Sequence, residues 1–162
     1  MRRVQERHSL QALLKLRPTN GFRNRDEGSS QKTLFEELGG TEKIRDLVEK
    51  FYDIMDSDPR ALGIRAMHAA DLTEAREKLF MFLTGWSGGP SLYIDRYGHP
   101  MLRKRHLPFA IGESERDQWM FCMVRAMHEI NMEEQVVMRL AQALWSVADF
   151  MRNKPEGEPP QT

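Results

Sequence analysis

Apolar residues recur along this chain at helical spacing, and nowhere do they alternate as a half-buried strand would. Leu34 to Leu38 predicts one helical turn, broken by Gly39-Gly40, with Thr41 placed to cap the next helix. From Glu42, the apolar positions Ile44, Leu47, Val48, Phe51, Ile54 and Met55 predict a first long helix with Tyr52 at the edge of its stripe. Asp56-Ser57-Asp58-Pro59 ends it, and residues 60–70 predict a turn or two of loose helix. Asp71 or Thr73 then caps a second helix with the stripe Leu72, Ala75, Leu79, Phe82, Leu83 and Trp86. Gly85, Gly88, Gly89 and Pro90 stop it. A loop is expected from there to about Gly112, longer than compact domains usually hold without a purpose. Ser114 is the expected cap of a third helix carrying Trp119, Cys122, Met123, Ala126, Met127 and Ile130. After Asn131 a fourth carries Val136, Val137, Leu140, Leu144, Val147, Ala148 and Met151. The pattern predicts an all-α fold of four main helices, with a ligand-sized interruption before the third.

Composition narrows the function. A length of 162 residues suits one domain, and 40% hydrophobic residues are enough for a real core. The formal net charge is zero, so nothing overall favours nucleic acid or an anionic membrane, and no apolar run is long enough to span a bilayer. The single cysteine, Cys122, excludes an intramolecular disulfide and is compatible with a reducing, cytoplasmic setting. Residues 1–32 differ from the rest, with eight basic residues against three acidic ones. That composition suits a disordered extension, or a start codon placed too far upstream, better than an organelle transit peptide. Residues 155–162 form a polar, proline-rich tail. The expected organisation is therefore an extension over 1–32, a domain over 33–154 and a short tail.

One segment carries candidate chemistry. Gly98 to Ile111 is short and basic and holds His106, with Pro108 two residues on. Proline disfavours helix at the residue before it, so a helical turn carrying His106 ends near Leu107. The imidazole is then presented from a stiff turn beside Leu102, Phe109 and Ile111. That suits a metal with one protein ligand, of which haem iron is the commonest case. Taken locally, a partly exposed histidine in a basic loop explains the segment as well. Other motifs are missing: there is no glycine-rich phosphate loop, no CxxC, and Met132 stands where HExxH would need its second histidine. His99 suits a loop, His128 a helix surface, and Cys122 a small buried hydrophobe near a pocket.

The stretches that combine are Gly39-Gly40 before the first long helix, Phe51-Tyr52 within it, and Leu79-Phe80-Met81-Phe82-Leu83 followed by Trp86 and Gly88-Gly89-Pro90. Then come Gly98-His99-Pro100, Arg103-x-Arg105-His106-x-Pro108-Phe109, and Glu115-Arg116-Asp117-x-Trp119. In this order and spacing, over roughly Thr33 to Lys154, the chain resembles the group II truncated haemoglobins. The resemblance implies a two-over-two helical sandwich around haem b, with His106 as the proximal iron ligand. It puts Trp119 and Tyr52 in the distal pocket, and His68 on a third distal position for which Met67 is the rival. Ala75 falls where the distal histidine of other globins stands. The implied haem contacts are Phe82, Leu83, Trp86, Tyr93, Arg105, Phe109, Ile111 and Met123, with Leu79 beside the ligand. One of Arg103, Lys104 and Arg105, together with Tyr93, is expected to meet a propionate. Trp119 can only donate a hydrogen bond, while Tyr52 and His68 can donate or accept. Such donors imply slow release of oxygen, for storage, sensing or redox chemistry. The same pocket would serve an enzyme of nitric oxide dioxygenation or peroxidase-like type, acting on nitric oxide or peroxide with a reductase partner. Carbon monoxide is a further expected ligand, and a haem-free helical interaction module is the remaining reading.

Overall fold

The computed structural model describes residues 31–155 of the chain, and every described element is helical. The expectations for most of the 1–32 extension and for the tail fall outside the described residues. Helix α1 (Leu34–Leu38) opens on a reciprocal cap: Glu36 N–H donates to Thr33 Oγ1 and Thr33 N–H donates to Glu36 Oε2, both at 3.2 Å. Gly39, at φ 99°, both ends α1 and begins α2 (Gly40–Ser57). A Cβ on Gly39 would also lie 2.6 Å from Lys43 Cγ, so both conformation and space require glycine. The expected cap at Thr41 is therefore displaced; Thr41 lies exposed inside the helix.

The α2 stripe is buried as its spacing predicts, with Ile44, Leu47, Val48, Phe51 and Met55 nearly inaccessible. Asp58 stops the helix, and its carboxylate accepts from Arg60 N–H at 2.9 Å while pairing with Arg60 and with Arg125. Those hydrogen bonds, chiefly from Arg60, hold the Asp58 carboxyl at about 2. A 3-10 turn (Pro59–Ala61) and the one-turn helix α3 (Leu62–Arg65) come next, matching the loose helix expected there. Asp71 Oδ1 accepts from Thr73 N–H at 2.8 Å at the entry to α4 (Thr73–Trp86).

The expected loop from Gly88 to Gly112 is not one loop. It holds α5 (Leu92–Tyr97) and α6 (Leu102–His106), separated by Gly98 at φ 75° and Met101 at φ 44°. The turn expected at His106 is α6, while α5, six residues long, shows too little of a 3.6-residue period to stand out. Helix α7 (Glu113–Glu129) starts one residue before Ser114, because Glu115 reaches back to accept from Gly112 N–H at 3.0 Å. Helix α8 (Glu134–Phe150) completes the chain.

The four long helices form two layers, α2 with α4 and α7 with α8, with α2 against α7 as the main contact between them. This is the two-over-two arrangement. Cys122, Met123, Ala126 and Met127 of α7 close the core against α2, and Val136, Val137, Leu140 and Leu144 of α8 lie behind them. Among the described residues no helix is long and apolar enough to cross a membrane.

Candidate functional site

A cavity of about 570 Å³ opens between the layers, within the range of small-molecule sites. It is walled by Tyr52 of α2, by Ile64, Met67 and His68 of the α3 segment, and by Ala75, Leu79, Phe82 and Leu83 of α4. Tyr93, Leu102, Arg105, His106, Phe109 and Ile111 form a second arc, and Trp119 with Leu144, Val147 and Met151 closes it. Apolar side chains dominate, and four charged ones, Lys78, Arg105, Glu115 and Arg116, are also in the wall.

His106 is the last residue of α6. Its Nδ1 lies 2.6 Å from Leu102 O, one turn back. A carbonyl oxygen can only accept, so Nδ1 carries the proton and Nε2 of the neutral ring keeps a bare lone pair. This is the tautomer in which a ligating imidazole is held. Two side chains fasten the turn, in roles that the spacing of residues did not show. Asn153 Nδ2 donates to His106 O at 3.3 Å and Phe109 O at 2.7 Å, while its Oδ1 accepts from Ile111 N–H at 2.9 Å. Arg103 donates to Phe150 O at 2.7 Å and Arg152 O at 2.9 Å, capping the end of α8. That use withdraws Arg103 from the basic run as a candidate at the cavity; Arg105 is in the wall, its guanidinium 5.8 Å from the Tyr93 ring. Lys78 joins it there, paired with Glu74 at 2.7 Å.

Tyr52 is buried, its ring edge-on to Phe51 at 4.9 Å and to His68 at 5.8 Å. Burial pushes its hydroxyl well above the ordinary tyrosine value, with the cation of Arg76 pulling the other way, so it stays protonated and able to donate. Trp119 packs at 5.2 Å from Phe51. No described residue accepts from its indole or bonds the Tyr52 hydroxyl. His68 and Met67 both line the cavity, so neither displaces the other. His68 Nδ1 lies 2.8 Å from Ile64 O. By the same argument Nδ1 carries a proton and donates to Ile64 O, which leaves Nε2 for other partners.

The structure does not bring Trp86 or Met123 to the cavity. Each lies one helical turn past a wall residue, Phe82 and Trp119 respectively, and is buried in the core. The spacing that carries a stripe along one helix face cannot show where the neighbouring helices close over it. Trp86 Nε1 is buried without a partner among the described residues. Cys122 is fully buried outside the wall, and burial pushes its thiol up to about 11. His99 is exposed in the turn before α6, and His128 is exposed on α7. No cluster of three or more His, Cys, Asp or Glu able to hold a metal ion occurs among the described residues.

Two helical layers enclosing a mainly apolar cavity, with two imidazoles, His68 and His106, at its wall, define a globin of the two-over-two type. The bacterial-like globin family model matches residues 33–153, and the chain belongs to that family. It is 38% identical over 131 residues to the group 2 truncated haemoglobin YjbI of Bacillus subtilis, covering 81% of this chain and 96% of that protein. The cold-adapted truncated haemoglobin of Pseudoalteromonas haloplanktis TAC125 superposes with TM-score 0.74 at 40% identity, over 76% of this chain and 100% of that one. The group II 2-on-2 haemoglobin of Agrobacterium tumefaciens gives TM-score 0.74 at 40% identity, over 78% and 98%. The family implies haem binding and diatomic gas ligands.

Proposed function

We propose that this chain holds haem b through His106 Nε2 and binds oxygen with slow release. The observation that carries the reading is the His106 Nδ1 bond to Leu102 O, which leaves Nε2 bare toward an apolar cavity. The wall fits the group. Leu79, Phe82, Leu83, Phe109 and Ile111 would grip an apolar macrocycle, and Arg105 and Lys78 would meet its carboxylates beside Tyr93. When bound, haem supplies the iron centre that takes a diatomic ligand. The rest is done by the chain. Trp119 and Tyr52 present a single N–H and a single O–H to the cavity, and Ala75 leaves room between them. Donors fixed in a water-poor site favour a ligand that gains negative charge, and so slow its departure. His68, edge-on to Tyr52, stands beside these donors with Nε2 as its remaining polar atom.

A relative of the same fold at 38% identity, from Bacillus subtilis, is described as an oxygen-avid truncated haemoglobin. The donor set here supports the same reading for this chain. Nitric oxide, carbon monoxide and peroxide fit the same pocket, and turnover of the first or last would draw on a reductase or reducing cosubstrate. The test is the absorption spectrum of the purified protein, then stopped-flow oxygen dissociation. A haem spectrum that is lost in His106→Ala, with slow oxygen release in the parent, is the expected result. A protein that takes up no haem would overturn the reading.

A further inference from the structure

Helix α3 is a single turn, and its first N–H groups have no partner within the helix. The residue that precedes it, Ala61, has no polar side chain to cap them. A side chain from another helix does so instead: Gln118 Oε1 of α7 accepts from Ile64 N–H at 3.1 Å. The other end of the amide is also fixed, Gln118 Nε2 donating to Ser114 Oγ at 3.0 Å. Gly63 makes the approach possible. A Cβ there would stand 2.8 Å from Gln118 Oε1 and 2.9 Å from Nε2, and the amide cannot retreat without giving up both bonds.

Ile64 is the residue whose carbonyl takes the Nδ1 proton of His68. Gln118 is also the neighbour of Trp119. One amide therefore ties the turn that sets the His68 tautomer to the helix that carries the Trp119 donor. We propose that Gln118 is a positioning residue of the ligand pocket: by holding Ile64 N–H it fixes the α3 turn, and with it the His68 Nδ1 bond to Ile64 O, at a set distance from Trp119. Gln118 is not in the cavity wall and touches no ligand. The role rests on the pocket reading given above, but its hydrogen bonds can be tested without haem.

Gln118→Met keeps the length and removes both bonds. Gln118→Glu keeps an acceptor for Ile64 N–H, and the Ser114 hydroxyl can turn to donate to the new carboxylate. Gly63→Ala leaves Gln118 in place and blocks its seat, at a position whose φ suits alanine. Two signals are read in the haem-free chain: amide hydrogen exchange at Ile64, and the His68 tautomer from long-range proton–nitrogen spectra of its ring. A third is read in the haem-loaded chain, the stretching band of carbon monoxide held in the pocket, which reports the local field. Gln118→Met and Gly63→Ala should raise Ile64 exchange roughly tenfold. They should also mix the His68 tautomers and broaden or split the carbon monoxide band, while Gln118→Glu keeps the parent values. Unchanged Ile64 exchange and His68 tautomer in Gln118→Met would overturn the proposal, as would a Gln118→Glu variant that behaves like Gln118→Met. If the parent took up no haem, the function reading would fall, while Ile64 and His68 would still decide the clamp.

Discussion

The two histidines at the cavity are set by the same local bond and held in place by different chemistry. In each, Nδ1 faces the carbonyl of the residue four positions back, at 2.8 Å for His68 and 2.6 Å for His106. The segment around His68 is fastened by charge. Asp58 pairs with Arg60 and Arg125 at its start, and Arg65 pairs with Asp56 at 2.7 Å while donating to Ala69 O and Ala70 O. The segment around His106 is fastened by Asn153 and by Arg103 on backbone carbonyls, none of which titrates in the acid range. Acid and salt should therefore loosen the His68 side before the His106 side. A globin needs its iron ligand under all conditions, whereas the ligand-facing side can tolerate some play.

The largest effect expected on this contrast comes from His106 itself. His106→Ala should lose stable haem or bind it only weakly, while His99→Ala and His128→Ala, both exposed positions, should retain it. Absorption titration with haem measures this, and equal loss in all three would remove the assignment.

Next comes the ligand side. Trp119→Phe keeps most of the ring volume and removes the donor. A hydrogen bond to a charged group is worth about 1.5–3 kcal/mol, so oxygen should leave roughly ten- to a hundredfold faster. Tyr52 can take over part of the role, because such networks reorganise. The double variant with Tyr52→Phe removes that route and should be faster still. Parent-like release in both, by stopped flow, would refute the donor reading.

A smaller change is expected when the neutral fastening is cut. Asn153→Ala removes the amide bonds to His106 O, Phe109 O and Ile111 N–H. Chemical denaturation should show a loss of about 1–3 kcal/mol. Haem transfer to an acceptor protein should be faster than in the parent. If haem loss is unchanged, Asn153 serves the fold alone and not the His106 turn.

The smallest effect is the acid response of the charged side. The Asp58 carboxyl is held at about 2, below its ordinary value of 3.8. A depressed folded value means the contribution is fully present above the unfolded value and is lost as pH falls from near 4 toward 2. Asp58→Asn should flatten the fall in stability over that window, while Asn153→Ala should leave its slope as in the parent. Denaturation midpoints at stepped pH would reveal it, and equal slopes in Asp58→Asn and the parent would cancel the distinction between the two sides.

How far the sequence reaches is seen at particular residues. Periodicity alone determined the four long helices, since a stripe of buried side chains every three or four residues is a local property. The resemblance, more than any spacing, pointed to His106, Tyr52 and Trp119, and the fold brings all three to the cavity wall. Helix α5 was not legible, being shorter than two turns and without a stop signal like the one Pro108 gives α6. Trp86 and Met123 were expected at the cavity from the resemblance, but the core closes over them one turn past Phe82 and Trp119. Asn153 and Gln118 gave no sign either. Their backbone partners lie 42 to 54 residues away and carry no residue code, and only the Gln118 bond to Ser114 is local. The donor and acceptor roles of the histidines belong to the same class. Sequence supplies an imidazole, and only the folded turn, by placing a carbonyl against Nδ1, decides which nitrogen is left to face the cavity.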